Sequence, residues 1–454
     1  MEDGRWKMEE KKRKKKAKST ERSERKANAC HTSTERLKNW QEVYATVDDI
    51  QQFLSERVML RFNVVTRRVE VHWLTDFGDA PPELDDWEAL TDRQVNSLWV
   101  EMSEQKPVRV QDIYRVIESD YVAEYNPFAF YLERLPPWDG EQDHILGLSL
   151  SVNVKGDSDE QFLFAEYLKK WLVGMVAAWM NPQVVNNVIL VLIGPQGAYK
   201  TTWFNYLLPP ELRRYFYTKT NAGRMTKDDL LVLAQYGLVC CEELDTMRPA
   251  ELNQLKAAVT MLSVDERAAY ARYHEHRPHI ASFCGTGNSL QFLSDPTGNR
   301  RWLPFEVESI EPPHENPLDY RSIYSQAYAL YRKGFRYWFT QPEIERLARH
   351  NQQFETANLE LELVAQYFRK PQGQEPGEFI SAAMALQIIG ANITQKLSKE
   401  NIGRAFTALG FDSRRTNKMR GYIVVRRSAE EMRSMRYQLA APSKSDSDGG
   451  DSIF

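Results

Sequence analysis

Residues 191–204, VLIGPQGAYKTTWF, place two glycines, a lysine and two threonines directly after an apolar run. Gly194 and Gly197 let the backbone curl so that successive N–H groups converge, and a helix starting behind them adds its own N-terminal N–H groups. Such a cradle suits phosphate oxygens. Lys200 can reach the β- and γ-phosphates, and the Thr201 hydroxyl can hold Mg²⁺. The stretch Gly194, Pro195, Gln196, Gly197, Ala198, Tyr199, Lys200, Thr201 and Thr202 is therefore expected to wrap ATP, with Mg²⁺ as its companion. The spacing is that of G-x-x-x-x-G-K-[ST], except that Tyr199 stands where the second glycine is usual. A side chain there needs room where the backbone hugs phosphate. The expectation is that its ring tilts outward.

A phosphate loop hydrolyses nothing without a second strand that ends in acids. LVCCEELD, about 40 residues on, supplies Glu242 and Glu243 directly after an apolar run. Glu242 is assigned to the metal together with Thr201, and Glu243 to polarising the attacking water, with Asp245 a rival for either role. Consecutive strand residues face opposite ways, so both glutamates can serve only if the strand ends there. The competing reading is an ordinary acidic turn. A third apolar strand ends in CGTGN, where the Asn288 amide could meet the γ-phosphate or the water. Arg300 and Arg301 follow in DPTGNRRWLPFEV. One of them could offer a planar cation to transferring phosphate, most simply in a neighbouring subunit's site.

Other clusters are less specific. His274, His276 and His279 lack matching Cys or carboxylate spacing for a metal. Arg414, Arg415, Lys418, Arg420, Arg426 and Arg427 surround a hairpin in SRRTNKMRGYIVVRR and suit a nucleic-acid backbone, a solvated charged face being the alternative. KKRKKKAK at 11–18 could also touch phosphates.

The elements that must position these residues divide the chain into zones. Residues 1–45 read as a basic flexible tail, 46–150 as an α+β lead-in, 151–345 as an ATPase domain, 351–440 as a small winged-helix-like module and 441–454 as a disordered tail. In the lead-in, TVDDIQQFLSERV reads as a helix and LRFNVVTRRVEVHWL as two strands about a turn, with helical stretches around LTDRQVNSLWVEMSEQ and VRVQDIYRVIESDYVAEY. DEQFLFAEYLKKWLVGMVAAWM is a long apolar helix before the loop-bearing strand. Strands alternating with helices then predict an α/β domain with a mostly parallel sheet. ISAAMALQIIGANI and LSKENIGRAFTALGF read as helices and RGYIVVRR as a strand.

Composition sets the outer bounds. The 454 residues allow two or three cored domains, and 42% hydrophobic with 27% charged residues is ordinary for a globular protein. Four cysteines without a C-x-x-C pair give neither a zinc framework nor a disulfide scaffold. No run of about 18 apolar residues exists, so no membrane partner is expected and the setting is read as cytoplasmic. Residues 1–26 carry 12 Lys/Arg against 6 Asp/Glu, which makes the remainder more acidic than the net −4. Any nucleic-acid contact must then be local.

In order, YNPFAFYLERLPPWDG, GPQGAYKTT, CCEELD, FCGTGN and DPTGNRRWLPFEV resemble the virulence-associated protein E-like family. These are P-loop ATPases of phages and mobile elements, related to superfamily 3 helicases and to primase-helicases. The resemblance spans roughly residues 50–345. It implies a P-loop NTPase (AAA-like) core, often multimeric, acting on DNA during element replication. It carries the phosphate site onto Lys200 and Thr201, the acids onto Glu242 or Glu243, the polar sensor onto Asn288 and the finger onto Arg300 or Arg301. Many relatives bear a primase domain upstream. No paired-carboxylate signature precedes the core here, so no primase activity is expected.

The leading reading is a DNA-directed, helicase-type ATPase using ATP and Mg²⁺, assembled as a homo-oligomer such as a hexameric ring, on single-stranded or origin DNA. The rival is a nucleotide-gated DNA-binding initiator or switch with little turnover. A scaffold that binds no nucleotide is the third.

Overall fold

The computed structural model describes residues 44–74, 86–220, 227–266, 275–293, 299–356, 359–391, 397–415 and 419–433. The basic block 11–18, residues 441–454, His274 and Lys418 lie outside them. The described residues fall into two compact units, those within Met1–Leu290 and Thr297–Gln353, and those within Gln291–Pro296 and Phe354–Phe454.

The first unit opens with α1 (Val47–Ser55). Thr46 Oγ1 accepts from the Asp49 N–H while Asp49 Oδ2 accepts from the Thr46 N–H, a reciprocal cap that fixes the helix start. Strands β1 (Val58–Asn63) and β2 (Arg68–Trp73) pair antiparallel. β3 (Glu88–Ala89) adds beyond β2, and β4 (Glu124–Tyr125) lies parallel to β1. Helices α2 (Asp92–Gln105) and α3 (Val110–Ile117) join α1 over a core of Ile50, Phe53, Leu54, Val95, Leu98, Met102, Ile113 and Ile117. The helical stretch expected around VRVQDIYRVIESDYVAEY covers Val110–Ile117. Backbone pairing wins beyond it: the Phe62 N–H donates to Ala123 O and the Val64 N–H to Tyr125 O. Tyr125 is buried beneath the Arg61 guanidinium, 3.7 Å away.

After α4 (Pro127–Glu133) and α5 (His144–Leu150) comes β5 (Val152–Val154), then α6 (Ser158–Met180). α6 is apolar on most sides and correspondingly buried along most of its length. Its Trp171 and Trp179 indoles donate to Phe283 O and Gly237 O, which pins the helix across the neighbouring sheet.

That sheet contains β6 (Ile189–Ile193), β7 (Phe216–Lys219), β8 (Leu238–Cys241), β11 (Ser282–Gly287) and β12 (Trp302–Ile310), with β5 at one edge. Its order is β5-β12-β6-β11-β8-β7. Every pair is parallel except β5 with β12. α7 (Lys200–Leu207) follows β6, α8 (Lys227–Gln235) precedes β8, and α9 (Pro249–Ala258) leads to a hairpin of β9 (Ser263–Glu266) and β10 (Glu275–Pro278). α10 (Tyr320–Arg332) and α11 (Gln341–Asn351) complete the unit. Strands β6, β8 and β11 are buried on both faces, and β6 and β8 correspondingly read as unbroken apolar runs.

The second unit runs α12 (Leu359–Tyr367), β13 (Phe368–Arg369), β14 (Glu378–Ile380), α13 (Ala382–Gly390), α14 (Lys399–Ala408), β15 (Ser413–Arg415) and β16 (Arg420–Arg426). β16 pairs antiparallel with β13, β14 and β15. Val364, Phe368, Ile380, Ile389, Ile402, Phe406, Tyr422 and Val424 form its core. The whole is a mixed α/β protein with several sheets. Among the described residues no helix is long and apolar enough to cross a membrane.

Candidate functional site

Because β6, β8 and β11 are parallel, the segments after Ile193, Cys241 and Gly287 emerge at one edge of the sheet. That carboxyl edge is where open α/β sheets bind ligands. β11 lies between β6 and β8, so the acids of β8 are two strand spacings, roughly 10 Å, from the loop after β6. Small residues on β11 close that gap. A Cβ at Gly285 would meet Leu244 Cδ1 at 2.3 Å, so glycine lets the chain after β8 fold back over β11.

Four of the side chains named from sequence meet there. Thr201 Oγ1 donates to Glu242 Oε1 at 2.9 Å. Lys200 is buried, and its Nζ donates to Gly194 O and Pro195 O, both at 2.7 Å, and to Asn288 Oδ1 at 3.4 Å. Burial lowers the Lys200 pKa, and the Asp245 carboxylate works against that shift. The ammonium lies beside the exposed loop residues Pro195, Gln196 and Gly197. Ala198 and Thr202 are half-buried.

Asp245 takes a position distinct from both glutamates. Its Oδ1 accepts from the Asn288 N–H (3.2 Å) and its Oδ2 from the Ser289 N–H (3.0 Å), so it ties the turn after β8 to the end of β11. Glu243 has a left-handed backbone, φ 54°, and an exposed side chain. The strand has ended at Cys241, so the two glutamates leave it on a turn and not on alternate faces of a strand.

Tyr199 is also left-handed, φ 55°, the conformation that explains why glycine is usual at that position. Its ring is exposed and lies 5.8 Å from the His314 ring. The side chain therefore packs beside His314 with much of its surface open to solvent.

Arg300 and Arg301 fall elsewhere. They form a single 3-10 turn with Asn299 before β12, and Trp302 pairs with Ile189, the first residue of β6. Four strand steps of about 3.3 Å separate that level from Ile193, some 13 Å, so the arginines sit at the opposite edge of the sheet. Buried Asn351 on α11 holds this turn, its Nδ2 donating to Asn299 O (2.9 Å) and Trp302 O (3.1 Å). Nothing in the local sequence marks Asn351, because its partners lie about 50 residues away.

His276 is exposed and bonds Asp265 Oδ1 at 2.8 Å, whereas His279 is buried with Nδ1 on Met261 O at 2.6 Å. The basic cluster of the second unit also divides. Arg426 makes a two-point pair with Glu378 (2.9 and 2.6 Å), and Arg427 donates to Ala365 O. Arg414, Arg415 and Arg420 are exposed.

Residues 132–356 match the family model described as the virulence-associated protein E-like domain. No curated protein is significantly similar to the chain. Among solved structures, the apo NrS-1 C-terminal region (305–718) is 12% identical with a TM-score of 0.42, over 83% of this chain and 98% of that one. A structure titled "SCCmec type IV Cch - active helicase" is 10% identical with a TM-score of 0.34, over 82% of this chain and 93% of that one.

Proposed function

The chain belongs to the virulence-associated protein E-like family through residues 132–356, and on that premise we propose that it is an ATP- and Mg²⁺-dependent, DNA-directed ATPase of helicase type. It acts in replication or mobilisation of a phage or integrated element. The observation that supports this most is the convergence of Lys200, Thr201, Glu242 and Asn288 at one sheet edge. On this reading the core is a P-loop NTPase of AAA-like kind, followed by a winged-helix-like module.

The loop from Gly194 to Thr202 wraps the phosphates, and Lys200 exchanges its loop carbonyls for phosphate oxygens. Thr201 and Glu242 present the hard oxygen donors that Mg²⁺ prefers, with few protein ligands, as suits an ion shared with phosphates. That ion supplies charge neutralisation between phosphate groups. Glu243 orients the attacking water and Asn288 contacts the γ-phosphate. Arg300 or Arg301 cannot reach this site within one chain, about 13 Å being beyond a side chain's length. The finger therefore comes from an adjacent copy in a ring-like homo-oligomer. Free, buried thiols at Cys240, Cys241 and Cys284 suit a reducing, cytoplasmic setting.

Lys200→Ala abolishes ATP hydrolysis on this reading. A wild-type rate in that variant would overturn the site assignment. The second reading is a nucleotide-gated DNA-binding switch with little turnover, favoured by the left-handed Tyr199 where glycine is usual. Turnover with and without single-stranded DNA separates the two. Stimulation supports the motor, and tight ATP binding without turnover supports the switch.

A further inference from the structure

We propose that the second unit is a duplex-DNA anchor that lays α14 against the double helix and clamps the flanking phosphates with the β15–β16 arginines. This rests on the DNA-directed reading above and goes beyond it. It names double-stranded DNA as the partner, and it separates anchoring from the ATP site.

Register and charge carry the argument. In the β15–β16 ladder Arg415 stands directly opposite Arg420, and both are exposed. Like charges facing each other across a ladder repel, a cost that a polyanion between or above them reverses. Tyr422 lies two residues beyond Arg420, hence on the same face, and the Arg420 guanidinium is 6.0 Å from its ring. Tyr422 Oη donates to Gly403 O of α14 at 2.8 Å. The arginine pair is thereby carried on the side of the hairpin that packs on α14. Gly421 fixes the hairpin's depth, since a Cβ there would lie 2.5 Å from the Phe379 ring.

α14 completes the surface. Glu400, Arg404, Thr407 and Ala408 are exposed at helical spacing. Glu400 belongs to the first turn, accepts from Ser398 Oγ at 2.9 Å and has the Lys399 ammonium 3.9 Å away. Beyond Arg404 the stripe is short-chained, so the helix backbone can approach a partner closely. Ten residues make about 15 Å of helix, a fit for a major groove about 12 Å wide.

The same unit argues against a single strand. Sequence-tolerant single-strand sites stack bases on aromatic rings. Among the described residues of this unit no aromatic side chain is exposed, and Tyr422 is stacked on Phe406 inside the core. Two other arginines of the unit are held by carboxylates: Arg369 makes a two-point pair with Glu375, and Arg426 one with Glu378. Arg404, Arg415 and Arg420 are exposed.

The test is fluorescence anisotropy of the full chain, without nucleotide, on a labelled duplex and on a single strand of equal length. The triple variant Arg404→Ala/Arg415→Ala/Arg420→Ala should weaken duplex binding tenfold or more. It should also flatten the dependence of log affinity on log salt by about 2–3. Arg426→Ala, removing a paired arginine, should stay within about twofold of the parent. Circular dichroism checks folding, and Arg404→Glu alone, on an exposed helix position, should repeat the loss if the triple variant is unstable. Unchanged duplex affinity, or an equal loss on the single strand, overturns the proposal. Since ATP is absent, that failure leaves the hydrolysis reading untouched, whereas wild-type turnover in Lys200→Ala removes the ATP site and not the anchor.

Discussion

The Thr201 hydroxyl donates to the Glu242 carboxylate at 2.9 Å, joining the first turn of α7 to the end of β8 across the intervening strand. Two oxygens brought together from separate strands are a ready pair of hard ligands, and neither is needed to hold the core. Thr201→Ala and Glu242→Gln should each lower ATP turnover about 100-fold or more and raise the Mg²⁺ concentration needed for half-maximal rate. Thermal midpoints should shift little, because both residues are only partly buried. A Mg²⁺ titration of turnover in the three proteins measures this.

Glu243 and Asp245 are adjacent in sequence to the same strand end but differ in what they hold. Asp245 accepts two backbone N–H groups from Asn288 and Ser289, while the Glu243 side chain is exposed. Glu243→Gln should cut kcat by 10²-fold or more with ATP affinity kept, the pattern of a lost general base. Asp245→Asn should lower both affinity and stability, since it weakens the tie to β11 and the field at Lys200. Pre-steady-state turnover with separate ATP-binding titrations distinguishes them. If only Asp245→Asn loses kcat with binding intact, the roles exchange.

Tyr199 tests whether the off-pattern loop is a handicap. A left-handed backbone costs a non-glycine residue about 1–2 kcal/mol, offset in part by the greater unfolded-state entropy of glycine, about 0.5–1 kcal/mol. Tyr199→Gly should therefore stabilise the protein by up to about 1 kcal/mol, read as a rise in denaturation midpoint. Because the ring is exposed and packs beside His314, turnover should stay within about threefold of wild type. A large increase would mean that the ring restrains the loop, as the switch reading requires.

How much of this was legible in the sequence follows from how local each signal is. The loop, the acid-tipped strand and the Asn-ended strand each announce themselves in under ten residues, through buried apolar runs that stop at polar ones. The edge strands β5 and β7 and the two-residue β4 carry no such run, since their pairing is dictated by partners far along the chain. The helical stretch read around residues 108–125 ends at Ile117 for that reason, as Ala123 and Tyr125 are claimed by the backbone of β1. Asn351 was invisible because a buried asparagine is meaningful only beside the carbonyls of Asn299 and Trp302. The six-residue basic cluster looked uniform, and among its described members Glu378 and the Ala365 carbonyl mark Arg426 and Arg427 as held.

His279 gives the acid side of stability a specific origin. It lies buried between β10 and β11, with Nδ1 on Met261 O and its ring edge-on to Phe283, 6.1 Å away. Burial lowers its pKa below the ordinary 6.5, outweighing the backbone bonds that act in the other direction. The unfolded chain thus binds a proton that the folded one resists. The stabilisation is complete above pH 6.5 and is lost as pH falls through the folded-state value. Urea midpoints measured from pH 7.5 downward should decline beginning near the ordinary histidine range. His279→Gln, which keeps an amide to face Met261 O but takes up no proton, should be less stable at pH 7.5 and should flatten that decline. An unchanged slope in the variant would assign the acid loss to other groups.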